Sequence, residues 1–123
     1  MKVEIPLLPP KETNPNWRGH WAKKAKAVRT FKDAAYYCAV TLPRSPSMPY
    51  KKASLSITLV IPDKRYVRDE DNAIASIKPG VDGCKGVIIQ DDDPDHLTIE
   101  SIRYEFSDLR NCMTILEFTE IIG

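Results

Sequence analysis

The sequence predicts one small α+β domain over residues 1–123, a mixed β-sheet carrying two main helices. A chain of 123 residues can enclose one hydrophobic core but not two. Its apolar residues alternate at a period of two in some segments and recur at steps of three and four in others, so strands and helices are interspersed. A hydrophobic content of 42% beside 28% charged residues belongs to a folded globular chain.

Val3, Ile5 and Leu7 alternate with Lys2, Glu4 and Pro6, the pattern of a short strand, which Pro9-Pro10 ends. Residues 11–19 form a polar loop. From Trp21 to Val40 the apolar stripe Trp21, Ala25, Val28, Phe31, Ala35 and Cys38 predicts an amphipathic helix. Three prolines make residues 41–50 a connector. Leu55, Ile57, Leu59 and Ile61 alternate with Ser54, Ser56, Thr58 and Val60 in the clearest strand, which Pro62 stops. A second helix begins around Asp69 to Asn72, whose side chains can cap free backbone amides. On it Asp71, Ala75, Lys78 and Asp82 share a face beside an apolar stripe of Ile74, Ile77 and Val81. Pro79-Gly80 is expected to kink or end this helix. Val87, Ile88 and Ile89 predict a short buried strand, and two further strands are expected near 97–106, the first with a bulge, and 111–122.

The net charge of +1 hides an uneven distribution. Residues 1–44 hold nine Lys or Arg against three acids, and residues 45–123 nine against fourteen. Arg18, Lys23, Lys24, Lys26 and Arg29 in the basic third, with Lys64, Arg65 and Arg68 farther on, are candidates for holding phosphate backbone without reading sequence. Solvated helix lysines would look the same. The three cysteines include no Cys-x-x-Cys pair and read as reduced core residues. No apolar run reaches membrane-spanning length and the N-terminus lacks a signal-peptide core, so no membrane partner and a cytoplasmic location are expected.

The densest chemistry lies in Arg68-Asp69-Glu70-Asp71-Asn72 and Gly86-Val87-Ile88-Ile89-Gln90-Asp91-Asp92-Asp93. Crowded carboxylates oppose one another's ionisation, so a fold that gathers them needs a proton, basic partners or a divalent cation. Hard oxygen ligands favour magnesium, with manganese possible. One helix cap needs one aspartate, and here the acids exceed that need. A calcium loop on Asp91, Asp93 and Asp95 fails, because His96 stands where glycine is required and Ile102 where glutamate is. No glycine-rich phosphate loop is present, and neither His20 nor His96 has a nucleophile motif to serve.

Arg-Asp-x-Asp-Asn at 68–72, Lys78 and Asp82 four apart, and Gly-Val-Ile-x-x-Asp-Asp ending at Asp92 resemble the RusA family of Holliday junction resolvases. Leu8-Pro9-Pro10, Asn14 and Trp17-Arg18 resemble that family's opening. The resemblance implies a homodimeric, RusA-like fold and a magnesium-dependent endonuclease that resolves four-way DNA junctions in recombination and repair. It implies that Asp69, Asp71 and Asp92 bind metal, with Asp91 in reserve, and that Lys78 assists catalysis. The family lysine usually stands one helical turn after the second aspartate, where this chain has Ala75. Lys78 comes nearly a turn later, with Arg68 and Lys85 next in line for the role. A non-catalytic DNA-binding or metal-stabilised protein of the same fold is the alternative.

Overall fold

The structure, a computed structural model, describes residues 1–122. Its elements run β1 (Lys2–Ile5), α1 (Trp21–Val40), β2 (Ala53–Ile61), α2 (Glu70–Cys84), β3 (Leu97–Phe106) and β4 (Met113–Glu120), with single 3-10 turns between some of them. Four strands form one mixed sheet in the order β1-β4-β2-β3. Strand β4 is antiparallel to both β1 and β2, and β3 is parallel to β2. Strands β1, β2 and β3 therefore all point the same way. Each of the two crossovers between them contains a helix, as parallel connections require.

Side chains from one face of the sheet, Val3, Ile5, Leu55, Ile57, Leu116 and Phe118, are fully buried beneath Phe31 and Ala35 of α1 and Ile77 and Val81 of α2. The helices cross closely at two glycines. A Cβ at Gly80 would sit 3.0 Å from the Phe31 ring, and one at Gly83 would run into the backbone carbonyl of Lys32. The opposite sheet face carries no helix and is more polar, with Arg103 Nε donating to Thr58 Oγ1 at 3.3 Å across β2 and β3.

Several expectations need correction. Strand β1 ends at Ile5, short of Leu7; the buried Thr114 hydroxyl instead donates to the Leu7 carbonyl at 2.7 Å. The apolar stripe of α1 is buried only in its second half, through Phe31, Ala35 and Ala39. Trp21 and Ala25 are exposed, and Val28 is half-buried. Pro79 neither ends α2 nor moves Asp82 off its face: the helix continues to Cys84. Burial of Ile77, Pro79, Val81 and Cys84 offsets the lost amide donor.

Residues 87–89 are not a strand. Gly86, at φ +80, reverses the chain, and the Val87 and Ile88 amides donate to the Cys84 carbonyl at 3.2 and 2.9 Å. The result is a buried turn that plugs the core, joined to Tyr50 and Lys85 only by isolated bridges at Ile89. The bulge in β3 is present: Leu55 pairs with Ile99 and Ser56 with Ser101, leaving Glu100 unpaired. Of the cysteines only Cys84 is in the core, Cys38 and Cys112 being half-buried, and all three are free.

Candidate functional site

The parallel direction of β1, β2 and β3 fixes where the charged groups lie. Both helices run back against these strands, so both helix N-termini stand at the edge of the sheet where β1 and β2 end. That edge receives the basic start of α1 and the Asp69–Asp71 start of α2. The opposite edge receives the end of α2 and the acidic loop at 91–93 before β3.

At the first edge Asp69 is the α2 cap, its Oδ1 accepting the Asn72 amide at 3.0 Å. Asp71 lies in the first turn, exposed. Arg68 is turned along the helix: its guanidinium donates to Ser76 Oγ at 2.9 Å, and its backbone amide and carbonyl both meet the Tyr104 hydroxyl at 3.3 Å. Arg65 forks onto Asp63, with Nε to Oδ1 at 3.0 Å and Nη2 to Oδ2 at 2.8 Å. That ion pair holds the Asp63 carboxyl below its usual range. Of the three basic residues expected beside the motif, Lys64 is exposed and has no ion-pair partner among the described residues. Arg18, Lys23, Lys24, Lys26 and Arg29 are all exposed.

At the second edge three carboxylates surround one ammonium. Lys85 Nζ lies 3.6 Å from Asp92, 3.7 Å from Asp91 and 3.9 Å from Asp82. The Asp82 and Asp92 carboxyls meet at the same Lys85 ammonium, close enough for each to oppose the other's ionisation. Burial, then the contact with Asp92, pushes the Asp82 carboxyl up. Burial opposes ionisation of Asp92 too, but the neighbouring Asp82 carboxyl, the Lys85 ammonium, Asp91 and the Lys78 charge together bring it down. The neighbouring Asp92 charge raises Lys85 in turn. Lys78 and Asp92 both line a cavity of about 330 Å³ floored by Ile77, Val81, Leu97 and Ile99.

The expected convergence of Asp69, Asp71 and Asp92 does not occur within one chain. Asp71 and Asp82 are eleven residues apart on a continuous helix, about 16 Å at 1.5 Å of rise per residue, and Asp92 keeps company with Asp82. Among the described residues, the group whose ligand atoms lie within 4.8 Å of one another is Asp91, Asp93 and His96. His96 Nδ1 meets Asp93 Oδ1 at 2.8 Å, and this bond draws the Asp93 carboxyl down. Exposed acidic groups of this kind are common without a metal. The sequence marked Asp82 as a member of a helix face and of the motif with Lys78, but not as a ligand, and gave His96 no role. Their partners are distant in sequence or lie across an irregular turn, where periodicity carries no signal. Comparison with family models, curated proteins and solved structures finds no match.

Proposed function

We propose that this protein is a cytoplasmic, magnesium-dependent endodeoxyribonuclease that acts as a homodimer on four-way DNA junctions. The motif resemblance supplies the substrate. The observation that carries the chemistry is the gathering of Asp82, Asp91 and Asp92 at 3.9, 3.7 and 3.6 Å from one ammonium, beside a cavity that Lys78 and Asp92 share. Crowded carboxylates that oppose one another's ionisation are a set that a divalent cation can occupy. Asp92, with Asp82 and Asp91, would hold magnesium or manganese, which lowers the pKa of bound water and polarises a phosphate oxygen. Lys78 stabilises charge developing on the phosphate, and the Lys85 ammonium steadies the carboxylates. The basic start of α1 grips flanking phosphates.

Asp69 and Asp71 can join Asp92 at one cation only if they come from a second copy of the chain, given the length of α2. A two-fold dimer would build two such sites, as paired strand cutting requires. Incubation of purified protein with a labelled four-way junction, with magnesium and with chelator, tests the reading. Paired nicks that depend on magnesium are expected. Junction binding without nicks would favour the non-catalytic DNA-binding protein instead.

A further inference from the structure

The first turns of α1 form an arm that the core does not explain. Every residue from Trp21 to Lys26 is exposed, and Trp21 is 76% exposed. An exposed indole costs hydrophobic free energy without improving packing. The flanking sequence is basic: from Arg18 to Arg29 the chain carries Arg18, Lys23, Lys24, Lys26 and Arg29 and no carboxylate.

The indole is also held in place. His20 caps α1, its Nδ1 accepting the Ala22 amide at 3.1 Å, and its ring stacks on Trp21 with centroids 5.6 Å apart and planes 27° apart. Trp17 is placed differently, its ring folded over Gly19 so closely that any side chain there would collide with it. Trp17 therefore braces the loop into the helix, and Trp21 remains open to solvent.

We propose that Trp21 is a stacking platform for an unpaired DNA base, at the tip of a basic arm that holds the adjoining phosphates. A single strand offers both a polyanion to neutralise the cations of the arm and exposed base faces for the indole. Duplex DNA satisfies the cations but hides its base faces inside the stack. The inference rests on the junction reading above only for its biological setting.

The test uses full-length protein carrying Trp17→Phe, in which Trp21 is the sole fluorophore of its kind. Oligothymidylate should quench its emission, and duplex DNA of equal length should quench far less. Trp21→Ala should weaken oligothymidylate binding by about 5- to 150-fold, the range for loss of one base stack. Trp21→Phe should fall between, and duplex affinity should change little. No quenching, unchanged oligothymidylate affinity, or an equal loss for duplex and single strand would overturn the proposal. Since this titration reads no cleavage, absence of nuclease activity would defeat the junction reading and leave the Trp21 result to stand or fall by itself.

Discussion

Replacing Gly83 with alanine tests the helix crossing on which the placement of both charged edges depends. In an unencumbered helix interior this change is stabilising by about 1 kcal/mol, because glycine is the poorer helix former. Here the added Cβ would overlap the Lys32 carbonyl oxygen and lie 3.0 Å from both the Ala35 Cβ and the Tyr36 backbone nitrogen. These are mainly backbone atoms of α1 and cannot rotate away, so the helices must separate at the upper end of the usual overpacking cost, about 3 kcal/mol. The net expectation is a destabilisation of about 2 kcal/mol. At about 4 °C per kcal/mol for a chain of this size, Tm should fall by roughly 8 °C. Urea denaturation followed by circular dichroism reads the same quantity. Gly80→Ala should cost less, because the Phe31 ring edge and the Ile5 and Leu116 methyls it meets can shift. A Gly83→Ala protein as stable as wild type, or more so, would refute the close crossing.

The raised Asp82 carboxyl sets a pH dependence. It holds its proton more tightly folded than unfolded, so it favours the folded state below the ordinary carboxylate range, a contribution lost as pH rises through the elevated folded value. Asp92, drawn down, behaves oppositely, losing its contribution as pH falls through its depressed folded value. Asp82→Asn should therefore compare more favourably with wild type at neutral pH than near about pH 4, as chemical denaturation at the two pH values would show; a difference independent of pH would contradict it. Burial pushes the Cys84 thiol up to about 12, so a thiol reagent at neutral pH should label Cys112 and leave Cys84 untouched until the protein unfolds, and early labelling of Cys84 would contradict its burial. Asp71→Asn and Asp92→Asn should each abolish junction cleavage while preserving binding, since each removes negative charge near phosphate. Mixing the two inactive variants under subunit exchange should restore nicking, because one shared site per heterodimer would be intact; no recovery would place all ligands of a site in one chain.

Local patterns in the chain carried much of this architecture. Strand β2 and the body of α1 announce themselves because burial of one face imposes a period on the residues. The start of α2 is legible because Asp69 and Asn72 stand where free amides need acceptors. Burial at a helix end was not legible: Trp21, Ala25 and Val28 continue the apolar period of Phe31 and Ala35, and a period alone does not say where along the helix the core begins. Residues 87–89 read as a strand from their β-branched apolar composition, yet Gly86 and the Cys84 carbonyl turn them back on themselves. The carboxylates were recognised as a surplus, but their grouping was not. Proline at 79 suggested a break in α2, whereas tertiary burial keeps the helix whole and carries Asp71 and Asp82 to opposite edges of the sheet. Asp82 with Asp92 and Lys85, and Asp93 with His96, are pairings made by the fold around the turn at 85–96.

The most direct measurement is single-turnover cleavage of a labelled four-way junction by wild type and by Asp92→Asn at saturating magnesium, with junction affinity measured alongside. Wild type should introduce paired nicks, and the variant should bind the junction at least as tightly while cutting at least a hundredfold more slowly, on the order of the loss expected when a group central to charge stabilisation is removed. An Asp92→Asn protein that cuts at the wild-type rate, or a wild type that binds without cutting, would contradict the account.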